Sequence, residues 1–196
     1  HQSEGFTTAG SNIIPHINLA FSKKFLWNGR LQGTLENAMK FEVEDFFGTT
    51  NTSRLQADPV YPDLFKKAFG SSTITLQNTE YALAQFVRTM ISGNAKFDRF
   101  IRHEENLTTQ EMIGFNIFNT ERGDCFHCHS ISLMTDNELH NIGLDSIFTG
   151  VDMGYYNSSG NPADLGKFKS PSLRNVSMRT SFMHDGRFTT LDEVIN

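Results

Sequence analysis

Apolar residues recur at helical spacing most clearly between Thr79 and Ser92, where Leu83, Phe86, Val87, Met90 and Ile91 share a face and Gly93 follows as a stop. A second helix is expected from Thr108, because Thr108-Thr109-Gln110-Glu111 spells a capping box. Its apolar residues Met112, Ile113, Phe115, Ile117 and Phe118 surround the axis broadly, which predicts burial on more than one side. Over residues 35–47, Leu35, Met39, Phe41 and Val43 mix with Glu36, Glu42, Glu44 and Asp45 and predict a short helix and its exit. Leu64 to Phe69 reads as one or two helical turns closed by Gly70. Thr190, with Glu193 three residues on, opens a last capped helix. Residues 1–34 read as loops with short helices, and residues 48–62, with Pro59 and Pro62, as a polar surface loop. Ser130 to Pro171 is irregular and rich in glycine. No segment sustains alternation of period two, so the expected fold is mainly α with long irregular loops and a boundary near residues 102–107.

Length and charge narrow the functional classes. The 196 residues suffice for one large domain or two small ones. A net charge of −5 without a basic run speaks against nucleic acid as a partner. No apolar stretch approaches the roughly eighteen residues of a transmembrane helix. The sequence opens on His1 rather than Met, shows no signal peptide, and stops at Asn196 just inside a helix. Both ends therefore read as cut, and the chain is expected to be an internal fragment of a longer protein.

The only two cysteines lie in Cys125-Phe126-His127-Cys128-His129. Two intervening residues make too tight a loop for a disulfide framework, which leaves a haem attachment site, a zinc half-site or a dithiol redox pair. The spacing favours haem c. Two thiols can form thioethers with the vinyl groups, and the adjacent His129 then reaches the iron as proximal ligand. Zinc could draw on His127 and His140 but lacks a second cysteine pair, and a thioredoxin-like dithiol lacks a βαβ context. Both stay open on these residues alone. A sixth iron ligand could come from Met134, Met153, Met178 or Met183, among which composition does not choose.

Several longer motifs carry a family resemblance. Cys125 to His129 is followed by Phe148-Thr149-Gly150, by Phe168-Lys169-Ser170-Pro171-Ser172-Leu173-Arg174-Asn175-Val176, and by Met183-His184-Asp185-Gly186-Arg187-Phe188-Thr189-Thr190-Leu191. Upstream stand Asn18-Leu19-Ala20-Phe21, Leu26-Trp27-Asn28-Gly29-Arg30, Tyr61-Pro62-Asp63-Leu64-Phe65, and Phe97-Asp98-Arg99-Phe100 after the Ala82–Gly93 helix. In this order they resemble the bacterial dihaem cytochrome c peroxidases and their MauG-like relatives over essentially the whole chain.

The resemblance implies two cytochrome c-like haem domains, an N-terminal peroxidatic one over residues 1–104 and a C-terminal electron-transfer one over residues 105–196. Two haems c are expected in the full-length protein, although one attachment motif is complete here. His1-Gln2-Ser3-Glu4-Gly5-Phe6-Thr7 looks like the sequence after a first motif, which makes His1 the proximal ligand of the first haem. Trp27 would mediate electron transfer between the haems. Asn12, with carbonyls near Arg179 and Ser181, would form a calcium site, oxygen donors being suited to that ion. The family's acid–base Glu has no direct counterpart, since the count reaches Phe47 or Gly48, and Glu44 is the candidate in the neighbourhood. The second haem's distal ligand would fall near position 198, past the end of the chain, with Met183 as the fallback. His16, in a helix-like position, is the substitute for the His that caps the first haem in some relatives, and an open first haem is expected.

Function follows the same resemblance. The expected reaction is reduction of hydrogen peroxide to water in the periplasm, with electrons from a small cytochrome c or cupredoxin. A homodimer is compatible with it. The alternatives are MauG-like oxidation of a partner protein and a non-enzymatic dihaem electron-transfer cytochrome.

Overall fold

Hydroxyl caps start several of the helices. In a computed structural model, which describes residues 11–196, Thr34 accepts from Asn37 N–H and opens α1, Leu35–Lys40. The chain then widens into a π-helical turn, Phe41–Phe46, in which Phe47 N–H reaches the Glu42 carbonyl at 3.0 Å. A five-residue helix, α2 (Ser53–Ala57), interrupts the expected polar loop, and its Gln56 holds Ile74 N–H at 2.9 Å. α3, Tyr61–Phe69, begins earlier than expected, because Pro62 is well suited to a first turn. Gly70 closes it in the left-handed conformation. α4 spans Leu76–Arg88 from its cap Thr75, so it lies nearer the N-terminus than the apolar pattern suggests and ends before Gly93. These elements, with Asn18–Lys23 and the rest of Leu31–Met90, form the smaller of two compact units. Its core is Leu35, Ala38, Met39, Val43, Phe65, Ile74, Ala84 and Val87. Arg88 ties α4 to α1 through Glu36 at 2.6 Å.

Of the described residues, the larger unit comprises 11–17, Lys24–Arg30 and Ile91–Asn196. The expected boundary at residues 102–107 lies inside it. Ion pairs carry the chain across that stretch: Arg99–Glu105 at 2.6 Å, Arg102–Glu104 at 2.8 Å and Lys96–Glu111 at 2.5 Å. Here α5, Lys96–Ile101, is a helix that periodicity did not signal. Asp98 starts it by accepting from Ala95 N–H at 2.9 Å. The same carboxylate takes a bidentate pair from Arg174 at 2.6 and 2.9 Å, both side chains being nearly buried. α6, Thr109–Phe118, has the capping box read from sequence. It is not buried on several sides, however. Phe115 packs on Phe97 and Phe100 of α5, while Ile113 stays about half exposed. An irregular region follows, containing the antiparallel pair Leu139–His140 and Phe168–Lys169 (Leu139 opposite Lys169) and the single turn α7, Tyr156–Ser159. α8, Leu191–Ile195, ends the chain from its Thr190–Glu193 box.

Candidate haem site

The motif follows α6 through a turn that only glycine permits at Gly123, where a Cβ would stand 2.5 Å from the Ile117 carbonyl. Asp124 is left-handed, and Cys125–His127 form a 3-10 turn that brings His129 N–H onto the Cys125 carbonyl at 2.9 Å. Cys125 Sγ donates to the Gly123 carbonyl at 3.1 Å, and the two half-buried thiols are not bonded to each other. Burial, and then Asp124, push the Cys125 thiol up; burial and the Asp136 and Asp124 charges do the same for Cys128. A thiol held protonated is a poor nucleophile, which weighs against the dithiol redox reading.

His129 is prepared for a metal. Burial holds its pKa below the usual histidine value, so the ring is neutral at pH 7. Its Nδ1 lies 3.2 Å from the Met134 carbonyl, a bond that in the neutral ring places the proton on Nδ1 and leaves Nε2 as the ligand nitrogen. His129 and Cys128 open on a cavity of about 340 Å³ whose walls include Phe148, Pro171, Leu173, Met183 and Leu191. Gly166 is obligatory beside it, since a Cβ there would lie 2.3 Å from the Phe148 ring. Two thiols at attachment spacing, a neutral imidazole with a fixed tautomer, and apolar walls are the donor set and environment that haem c requires. The zinc set expected from Cys125, Cys128, His127 and His140 is not assembled. Cys128 gathers with Asp136 and His140, which pair with each other at 2.6 Å, but Cys125 does not join them. His127 is exposed beside Glu121 and Asp124 at 3.5 and 3.3 Å.

Trp27 lines the same cavity. Its indole N–H donates to the Asn12 carbonyl at 2.7 Å, and its own carbonyl accepts from Lys169 N–H at 2.7 Å. Asn12, Arg179 and Ser181 do come together, but not as a calcium site. Arg179 places its guanidinium at the junction, donating to Asn12 Oδ1 at 3.1 Å and to the Ile13 carbonyl at 2.6 Å. A cation already stands among the oxygens, and no carboxylate is in the set. Calcium, which takes six to eight oxygens at about 2.3–2.6 Å, does not fit there.

The remaining candidates separate. Met183, with φ of 64°, lines the cavity. His16 is exposed in a non-helical stretch, not in a helix, because among the described residues the first 3-10 turn comes at Leu19–Phe21. His1 lies outside the described residues. Glu44 belongs to the smaller unit, 4.0 Å from Lys40, and faces Glu80 of α4. Glu80 is 4% exposed and its Oε1 has no hydrogen-bond partner. Burial and then the Glu44 carboxyl push Glu80 above the ordinary carboxylate value.

Sequence reasoning quoted His184 and Lys169 as landmarks without giving them a role. His184 is buried, stacks on Phe168 at 3.8 Å and pairs with Asp152 at 2.9 Å. Arg187 clamps Asp145 at 2.8 and 2.9 Å in the same wall. Lys169 is 4% exposed, and burial pushes its ammonium down to about 8. A lysine beside apolar Phe168 was the available signal, but its burial depends on strand pairing.

The profile of the family described as "Di-haem cytochrome c peroxidase" matches residues 1–106. The chain is 35% identical, over 99% of its length and 58% of the relative's, to methylamine utilization protein MauG of Methylorubrum extorquens. It is 30% identical, over 92% of its length and 58% of the relative's, to cytochrome-c peroxidase IdrP2 of Denitromonas iodatirespirans. It thus spans a little over half the length of these curated relatives. A crystal structure of a MauG-like protein associated with microbial copper homeostasis superposes with a TM-score of 0.86 at 27% identity, covering 95% of this chain and 61% of that one. With Cys128 and His129 on one apolar cavity, these likenesses establish that the chain belongs to the dihaem cytochrome c peroxidase and MauG family of oxidoreductases.

Proposed function

We propose that the full-length protein reduces hydrogen peroxide to water in the periplasm, using two c-type haems and electrons from a small cytochrome c or cupredoxin. The observation that carries this reading is the placement of Cys128, the neutral His129 and Trp27 on one apolar cavity beside Cys125. When bound, haem c supplies an iron that changes oxidation state. The chain's own residues then have distinct tasks. Cys125 and Cys128 anchor the ring, and His129 offers the nitrogen that Met134 leaves unoccupied. Trp27, fixed on Asn12 and Lys169, is assigned the electron relay. Met183 is retained as the candidate sixth ligand within the described residues, and His1 as proximal ligand of the first haem. Glu44 is assigned the acid–base role, because it stands against the buried carboxyl of Glu80, which burial and then Glu44 hold above the ordinary carboxylate value.

The test is peroxide-dependent oxidation of a reduced donor cytochrome by the full-length protein, with and without prior partial reduction. Rapid turnover is expected, and turnover without prior reduction would mean that the first haem rests open. MauG-like oxidation of a partner protein is the second reading, supported by the MauG names among the relatives. Absence of donor turnover in a protein with both haems present would move the assignment there.

A further inference from the structure

The junction of the Asn12 loop, the Trp27 turn and the segment 179–184 is held by an unusually dense set of bonds around one side chain. Asn12 N–H donates to the His184 carbonyl at 2.6 Å, and its Nδ2 donates to the carbonyls of Ser181 and Met183 at 3.0 and 3.2 Å. Its Oδ1 accepts from Ile13 N–H at 2.9 Å, Ser181 Oγ at 3.0 Å and Arg179 Nη2 at 3.1 Å. Its carbonyl receives the Trp27 indole. The result is a concentration of oxygens, those of Asn12, Ile13 and Ser181, with no carboxylate to attract a free ion. The positive charge comes from within the chain. Arg179 Nη2 spans Asn12 Oδ1 and the Ile13 carbonyl, and Nε points at the Ser181 carbonyl at 3.5 Å. A calcium ion bound by the same oxygens would stand within about 2.6 Å of each, in contact with the guanidinium. Like charges at that separation repel strongly in a partly desolvated site.

We infer that Arg179 is the built-in cation of this junction: its guanidinium takes the place among the Asn12, Ile13 and Ser181 oxygens that a bound calcium ion would need, and so holds Asn12 and Trp27 in position without metal. Arg179 is thereby a positioning residue. Its planar fork suits the role, since it can address two acceptors at once and stays charged throughout the working pH range. The bonds also fix where the Trp27 indole lies, because the carbonyl that holds it belongs to the residue the guanidinium holds.

The experiment uses the haem-loaded full-length protein after removal of loosely held metal. Elemental analysis should find calcium well below one ion per chain, and excess EGTA should leave Tm unchanged. Arg179→Gln keeps a hydrogen-bond donor and removes the charge. Its Tm should fall by roughly 3 °C or more, and the Trp27 indole proton should exchange with solvent roughly tenfold faster. Trp27→Phe identifies that proton. A stoichiometric calcium ion whose removal by EGTA lowers the wild-type Tm overturns the inference. So does an Arg179→Gln protein with wild-type Tm and indole exchange. Should Arg179→Gln fail to fold, the calcium content and EGTA response of the wild-type protein decide the matter.

Discussion

In the smaller unit the buried side chains are mostly aliphatic and aromatic, from Leu35 and Met39 on α1 to Phe65 on α3 and Val87 on α4. In the larger unit, among the described residues, only Phe25 and Phe182 are buried apolar residues, and the other buried side chains are Thr135, Lys169, Ser170 and His184. The larger unit therefore relies on directed bonds: Arg174 on Asp98, Arg187 on Asp145, His184 on Asp152, and Thr135 on the Ser170 carbonyl at 2.7 Å. Such bonds contribute about 1 kcal/mol each in net terms, far less than an apolar core supplies. The cavity beside His129 explains the difference. On the proposed reading, its walls are those of a core that a haem attached at Cys125 and Cys128 would complete, whereas the smaller unit fills its own.

That contrast is breakable. Replacing both attachment cysteines, Cys125→Ser with Cys128→Ser, should remove most of the larger unit's stability, of the order of the 5 kcal/mol or more typical of a domain. Hydrogen exchange should then lose protection across residues 109–195 while α4 keeps it. Protection retained throughout would show that the ion pairs suffice. Phe65→Ala should act the other way, destabilising the smaller unit by about 3–4 kcal/mol while the absorption spectrum of the haem on His129 stays as it was. A changed spectrum would mean that the two regions are not supported separately.

The smallest effect concerns pH, and the units should respond with opposite sign. Arg174, first among its neighbours, holds Asp98 below its ordinary 3.8. Ionised Asp98 therefore stabilises the larger unit above that value, and the contribution is lost as pH falls through the lowered pKa. Glu80 is raised above its ordinary 4.5 by burial and by Glu44. The smaller unit thus carries a cost at neutral pH that disappears as pH falls through the raised value towards 4.5. Glu80→Gln should accordingly stabilise that unit by roughly 1 kcal/mol at pH 7, and the gain should vanish near pH 4. A gain that grew on acidification would contradict the raised Glu80 carboxyl.

Helix starts were legible where the sequence spells Thr-x-x-Glu, as at Thr108–Glu111 and Thr190–Glu193, but not at the Thr75–Asn78 cap of α4. The helix α5 was not, since its six residues are too few to show a period and its strongest bond, Asp98 to Arg174, joins positions 76 apart. The broad apolar surface of α6 likewise announced burial that a one-sided contact with α5 does not deliver.

The same division runs through the site. The chemistry at Cys125, Cys128 and His129 belongs to five consecutive residues, so their spacing alone selects haem attachment over a disulfide. Nothing in the neighbourhood of Arg179 says that its guanidinium meets an asparagine 167 positions away. Nor does the string reveal that Glu80 faces Glu44, or that Lys169 is buried at the edge of the cavity. By itself the sequence determined the Thr108 and Thr190 helix starts and brought two cysteines and a histidine into one short motif, because hydrogen bonds and covalent reach operate within a few residues. The tertiary structure alone decided which charges meet, which of them lose their water, and whether a site for a metal is already taken by a side chain, because those depend on the distance between segments that the chain order does not encode.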